Sequence, residues 1–327
     1  MTEQTHPFSR RSFITRTALA SAGAALAVEA LVPSQAFAQT PQASPPQAQT
    51  GISQPQTGLP KAKIGNLEVS RLILGGNLLE HYAHSRDLEF VRGLARAYNT
   101  EAKVIETLKL AESLGINTMS GSINPTCTNV LRKYREKHNG KIQWIICPYA
   151  PLEDGLAKFN EEVDKLMDWG CDAVYVWGVR SDEMVAAKRV DLIGKAVEAV
   201  KAHGVSCGVG GHKLEVVVEC ERQKVPADFY IKTLHHHDYP SAKLNFDSLW
   251  CEKPQELIEF MQGVTKPWLA FKVMAAGAIK PTSAFPFAYN NGADCVLAGM
   301  FDFEMAQDVR VAQEAIAKAQ RKRPWRA

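Results

Sequence analysis

The stretch Lys141–Gly178, KIQWIICPYAPLEDGLAKFNEEVDKLMDWGCDAVYVWG, decides the fold. It opens on an apolar run of strand length, KIQWIICP (141–148). It passes through a helix-length segment, EDGLAKFNEEVDKLMDWG (153–170), and closes on a second strand-length run, DAVYVWG (172–178). Two strands joined by a helix read as a parallel pair with a crossover.

The unit repeats in both directions. Upstream lie RLILGG (71–76), a helix beginning EAKVIETLKLAESLG at Glu101, INTMSGS (116–122) and a helix over 125–138. The first of those helices carries apolar Val104, Ile105, Leu108 and Ala111 at helical spacing. Downstream come a long helix over 182–203, VSCGVGG (205–211), a helix over 213–223, DFYIKTL (228–234) and the helix PQELIEFMQG. PWLAFKV (267–273), a short helix near 285–289, ADCVLAG (293–299) and a last helix over 303–320 follow. Eight strands alternating with eight helices predict a single-domain α/β chain, a (β/α)8 TIM barrel over residues 61–327. An open doubly wound sheet is the other architecture for such a pattern. It would want a G-x-G-x-x-G after its first strand, and LGGN is not one.

Outside the barrel the chain reads differently. SRRSFIT (9–15), an Ala-rich run from Thr17 to Val32 and Ala36-Phe37-Ala38 form the parts of a twin-arginine signal peptide over 1–38, cut after Ala38. The run is too short, and too interrupted by Glu29, for a comfortable membrane span. The expected partner there is the Tat export machinery, and the expected location is periplasmic or secreted. Residues 39–60, rich in Gln, Pro, Thr and Ser, lack the apolar content for a core and read as a disordered linker. A net charge of +3 gives no reason to propose nucleic acid, or a membrane in the mature form, as partner. The basic end QRKRPWRA reads as solvated. The seven cysteines are an odd number without C-x-x-C; Cys147, Cys207 and Cys295 sit in or at the ends of apolar runs as small core residues.

Barrel active sites gather at the C-terminal ends of the strands. There the sequence places Asn77, Glu80, His84, Arg86 and Asp87 after the first strand, Trp177 after the fourth, His212 after the fifth, and His235-His236-His237 after the sixth. Two constellations stand out. Glu80, His212, His235 and His237 have the donor chemistry for a divalent zinc, manganese or iron ion. The other reading of the histidine run is a polar loop touching substrate hydroxyls. Lys232 and Lys272 end neighbouring strands, and two ammonium groups in one pocket would lower a pKa enough to free an amine for a Schiff base. They could equally bind an anion.

Three stretches resemble the aldo/keto reductase superfamily: IGNLEVSRLILGGN, ETLKLAESLGIN and GADCVLAGMFDFEMAQDV. More closely, AHSRDLEFV, KTLHHHDYPSA and AFKVMAAGAI are similar to exported aldo/keto-reductase-like barrel proteins of poorly characterised function. The resemblance implies the barrel. It also implies an aspartate, a lysine and a histidine at strand ends, but this chain has Ser120, Cys147-Pro148 and Trp177 there. NADPH is therefore not expected. ADFYIKTL with FKVMAAGAI is locally similar to deoxyribose-phosphate aldolase, which implies a Schiff-base role for Lys232 with Lys272 as its partner.

The resulting expectation is an exported barrel enzyme acting on a small polyhydroxylated carbonyl compound by lyase or isomerase chemistry. Lys232, Lys272 and His236 would be catalytic; Asn77, His84, Arg86, Asp87 and Trp177 would hold substrate. An oxidoreductase with a rearranged site, or a non-catalytic sugar- or metal-binding barrel, are the alternatives.

Overall fold

The computed structural model describes residues 58–242 and 247–327. The signal peptide, its cleavage at Ala38 and the linker up to residue 57 lie outside the described residues.

Two short strands, β1 (Lys61–Ile64) and β2 (Leu67–Ser70), form an antiparallel hairpin whose two-residue turn begins at Gly65 with φ +58°. That left-handed backbone suits glycine, which has no Cβ to clash. Eight parallel strands then close a barrel: β3 (Leu72–Gly75), β4 (Thr118–Ser122), β5 (Gln143–Cys147), β6 (Ala173–Val176), β7 (Ser206–Gly211), β8 (Phe229–Thr233), β9 (Trp268–Phe271) and β10 (Cys295–Ala298), with β10 hydrogen-bonded to β3. All eight expected strands are present.

The helices depart from expectation in two places. α1 (Phe90–Tyr98) precedes α2 (Glu101–Ser113) and α3 (Pro125–His138). After α4 (Ala157–Asp168), the expected long helix is two, α5 (Gly178–Ala186) and α6 (Val190–Lys201). They part at Lys188, whose φ of +59° no helix accommodates. α7 (Leu214–Arg222), α8 (Pro254–Gly263), α9 (Pro281–Asn290) and α10 (Asp302–Ala317) complete the outer ring.

Two apolar layers hold the barrel. A large one lies between strands and helices. A smaller one fills the interior, where Ile73, Ile145, Phe229, Ile231, Leu269 and Leu297 meet Ala62, Ile64 and Val69 of the hairpin. The hairpin thus plugs the N-terminal end of the barrel. The last three residues of the expected linker belong to this fold: Leu59 is buried, and Pro60 O accepts from Arg71 N at 2.9 Å.

The basic end of the chain is not solvated, contrary to the reading of QRKRPWRA. Arg323 is completely buried and donates to the carbonyls of Met261, Gly292, Val264 and Lys266. It also pairs with buried Asp294 at 2.6 Å. Arg71 and Arg321 both approach the Trp325 ring, their guanidinium carbons 4.0 and 3.5 Å from its centroid. A planar, multiply donating guanidinium can be buried in this way because nearly every N–H finds an acceptor.

Candidate functional site

The opposite end of the barrel is open. A cleft of about 930 Å³ reaches from the C-terminal strand ends into the loops above β3, β8, β9 and β10. Its size is within the usual range for a small-molecule site.

His212, just past β7, lines the cleft and is paired from behind with Asp182 of α5. His212 Nδ1 lies 2.7 Å from Asp182 Oδ2, and Asp182 also accepts the backbone N–H groups of His212 and Lys213 at 3.1 Å. With Nδ1–H donated to the carboxylate, Nε2 is the ring nitrogen left for a ligand. Burial lowers the His212 pKa from its ordinary value despite Asp182, so the ring is neutral at neutral pH. Gly178 makes room for it: a Cβ there would stand 3.1 Å from His212 Cε1. Asp182 was not anticipated from the sequence. The helix that carries it starts directly at the strand end, at Gly178, a start with no periodic signature in the sequence.

Lys272 also lines the cleft. Its ammonium donates to Ser248 Oγ, and to Leu249 O at 3.0 Å, and it lies near the faces of Trp250 and Phe271. Burial lowers its pKa to about 8, against the opposing pull of Asp247 and Asp182. Its φ of +59° is unusual for a residue with a side chain. His84 lines the cleft as well, 3.3 Å from Ser248 Oγ through Nε2, with its pKa pushed down to about 4 by burial and by Lys272.

The sixth-strand lysine is elsewhere. Along β8, Phe229 and Ile231 point into the barrel interior while Tyr230 packs in the outer layer. Period-two alternation turns Lys232 outward with Tyr230. Its ammonium, lowered to about 8 by burial, donates to His212 O at 2.6 Å and Thr233 O at 3.1 Å. It does not line the cleft. The expectation that Lys232 and Lys272 share one pocket is corrected accordingly.

The histidine run is likewise committed to the protein. His235 Nε2 accepts from Cys251 N at 2.9 Å, and Nδ1 lies 3.0 Å from His236 O, which uses both ring nitrogens. His236 accepts at Nδ1 from Asp238 N and sits 2.9 Å from Ser283 Oγ. His237 Nε2 donates to Cys251 O at 2.6 Å. None of the three lines the cleft. Glu80 does, but buried Glu80 accepts from Ser122 N at 2.7 Å and Ser122 Oγ at 2.6 Å. Burial raises its pKa. Among the described residues no three His, Cys, Asp or Glu side chains come together to hold a metal. The divalent-metal site expected from Glu80, His212, His235 and His237 is therefore not assembled: Glu80 and His235 spend their donor atoms locally, and the nitrogen left on His212 is not joined by two further donors.

Of the expected substrate-binding residues, Asn77 and Trp177 line the cleft with His84. Trp177 packs on Tyr149, which donates to Ser122 Oγ at 2.5 Å and so joins the Glu80 network. Arg86 is buried beside the cleft, its guanidinium donating to Ser241 O and lying over the Trp250 and Tyr239 rings. Asp87 is exposed and outside the lining. The charged lining is mixed: Arg180, Lys272 and Lys280 against Glu80, Asp247, Glu304 and Asp308. Arg180 is already paired with Glu183 at 2.7 Å.

No protein-family model matches the sequence, and no curated protein does. Several solved structures match. An aldo-keto reductase from Bacillus halodurans, in its holo form, has a TM-score of 0.55 at 15% identity, over 82% of this chain and 100% of that one. An aldo/keto reductase from Brucella melitensis has a TM-score of 0.50 at 11% identity, over 80% and 98%. The protein Gox0644, as a point variant in complex with NADPH, has a TM-score of 0.51 at 14% identity, over 81% and 95%. At such identities the likeness concerns architecture: this chain has the (β/α)8 TIM-barrel fold found in aldo-keto reductases.

Proposed function

We propose that this chain is a barrel enzyme that acts on a small polyhydroxylated carbonyl compound. In this reading His212 exchanges a proton with the substrate and Lys272 steadies the oxygen on which charge develops. The observation that carries the reading is the 2.7 Å contact from Asp182 to His212, whose ring lines the cleft. A neutral imidazole fixed at Nδ1 by a carboxylate has the tautomer and orientation of a general base at Nε2. It would take a proton from a hydroxyl, or from carbon next to the carbonyl. The ammonium of Lys272 favours the resulting alkoxide or enolate, and more strongly in a partly desolvated cleft than in water. Tyr149 and Trp177 offer an apolar and hydrogen-bonding wall of the kind sugars pack against.

Two versions of this chemistry differ in whether a hydride accompanies the proton. The likeness to aldo-keto reductases, one match being a complex with NADPH, favours an oxidoreductase with a rearranged site. The lining does not fit a dinucleotide. Four carboxyl groups outnumber three basic side chains, and Arg180 and Lys272 are engaged within the protein, which leaves little to meet a cofactor's phosphates. That balance favours proton transfer alone, as in a lyase or isomerase. Calorimetric titration with NADPH separates them: micromolar binding supports the oxidoreductase and no binding supports the lyase or isomerase. Screening of keto-sugars with wild-type and His212→Asn protein tests the common core. Turnover that survives in His212→Asn would sink it, and the absence of any turnover would point to a binding barrel. The N-terminal sequence supports export by the twin-arginine route, for which a periplasmic product beginning at Gln39 is the check.

A further inference from the structure

The cleft has a second polar end. Glu304 and Asp308 line it from successive turns of α10, four residues apart and thus on one face of the helix. We propose that this end is a subsite for a protonated amine, so that the substrate is an amino-bearing hydroxylated carbonyl compound. The inference rests on reading the cleft as the substrate site.

Asp308 is the telling residue. It is only 5% exposed, yet among the described residues no donor reaches its carboxyl group. Its oxygens are not sealed from the cleft, so the carboxyl group is open to whatever enters there. Asp302, in the same first turn as Glu304, shows what an engaged acid of this helix looks like: it accepts from Tyr98 Oη at 2.6 Å and pairs with Lys103 at 3.2 Å. Glu304 has a structural reason to be acidic, since it lies in the first turn, where negative charge suits the helix dipole. Asp308 lies beyond that turn. Nothing in the fold uses its charge, and burial with the neighbouring Glu304 raises its pKa to about 7. Lys280, also in the lining, is exposed and, among the described residues, makes no pair with either acid.

A cation entering this end relieves both defects together. It supplies N–H donors to a buried carboxylate and cancels the repulsion between two like charges. A neutral hydroxyl supplies a donor but leaves the repulsion. An anion would be opposed by both acids. Met274, Ile279 and Phe301 add apolar surface to the same cleft, and apolar surroundings strengthen charge pairing by lowering the local dielectric.

The test compares glucamine with glucitol, two polyols that differ by an amine in place of a hydroxyl and that, with no oxidised cofactor added, neither version of the chemistry consumes. Both are titrated into the full chain by calorimetry at about pH 8, where an aliphatic amine is protonated and a carboxyl with a pKa near 7 is ionised. Glucamine is expected to bind at least tenfold more tightly. The preference should fall to less than about threefold in Asp308→Asn and vanish in Asp308→Asn/Glu304→Gln. Equal binding of the two polyols, no binding of glucamine, or a preference that persists in the double variant each overturns the subsite. The circular dichroism melt of each variant is recorded alongside, and the single variant at Glu304 alone tests the same point should Asp308→Asn fail to fold. These outcomes are independent of turnover. Loss of the His212 role leaves the polyol comparison intact, and loss of the polyol preference leaves the His212 experiment intact.

Discussion

The two ends of the barrel handle buried charge in opposite ways. At the N-terminal end, Asp294 is completely buried and fully answered by Arg321, Arg323 and the backbone N–H groups of Trp268 and Arg326. At the C-terminal end, His212 keeps one nitrogen unused, Asp308 has no donor and Lys272 is held mostly by a loop. One end uses its polar groups on the fold. The other leaves some of them, His212 Nε2 and the Asp308 carboxyl group, without a partner among the described residues.

The sharpest way to break this comparison is at the closed end. Arg323→Ala leaves Asp294 buried near the vacated carbonyls of Met261, Val264 and Lys266, and removing one partner of a buried pair costs about 3–5 kcal/mol. Urea unfolding should show that loss. A variant within 1 kcal/mol of the parent, on the scale of an ordinary surface change, would mean the tail is dispensable. At the open end the balance should reverse. Asp182→Asn removes the charge that orients and supports His212, and turnover on whichever keto-sugar proves active should fall about 100-fold. Its unfolding midpoint should move far less than that of Arg323→Ala. Gly178→Ala is milder. The new methyl crowds His212 Cε1 at 3.1 Å, so a displacement of a few tenths of an ångström is expected, with about a tenfold loss of turnover and little change in melting.

The smallest effect expected is in the acid limb of stability. His84 and His235 are held near 4, chiefly by burial, below the ordinary histidine value of about 6.5. Their folded pKa values are depressed, so the unfolded chain binds more protons between those limits. Stability is therefore full above about pH 6.5 and lost as pH falls toward 4, by at most about 1.4 kcal/mol per pH unit for each group. His235→Asn should flatten the slope of unfolding free energy against pH in that window; an unchanged slope would mean the ring is protonated in the native state.

The sequence revealed the strands because each is an apolar run bounded by helix-length segments, but the same property hid the facing of side chains. In a parallel barrel both faces of a strand are buried, and FYIKT shows no polar alternation to say that Ile231 faces inward and Lys232 outward. The lysine thus looked catalytic from its place in the chain alone. Arg323 and the histidines failed in a related way. Three adjacent histidines suggest a ligand set, yet their nitrogens are used by Cys251, Asp238 and Ser283 and by the turn itself, contacts distant or irregular in sequence. Asp182 escaped because the break at Lys188 and the early start of α5 are local backbone events with no periodic signature.

The ammonium of Lys272 ties the loop above it, through Ser248 and Leu249, to the floor of the cleft. Any oxygen of a ligand that claims one of those N–H bonds must evict a bond to the loop. A ligand that takes more than the third, unshared N–H of the ammonium then enters by exchange, in which the loop is the resident partner and the newcomer its competitor. Hydrogen exchange at the amides of Ser248–Trp250 should quicken when a tight ligand occupies Lys272; slower exchange would show the loop closing down on its guest instead.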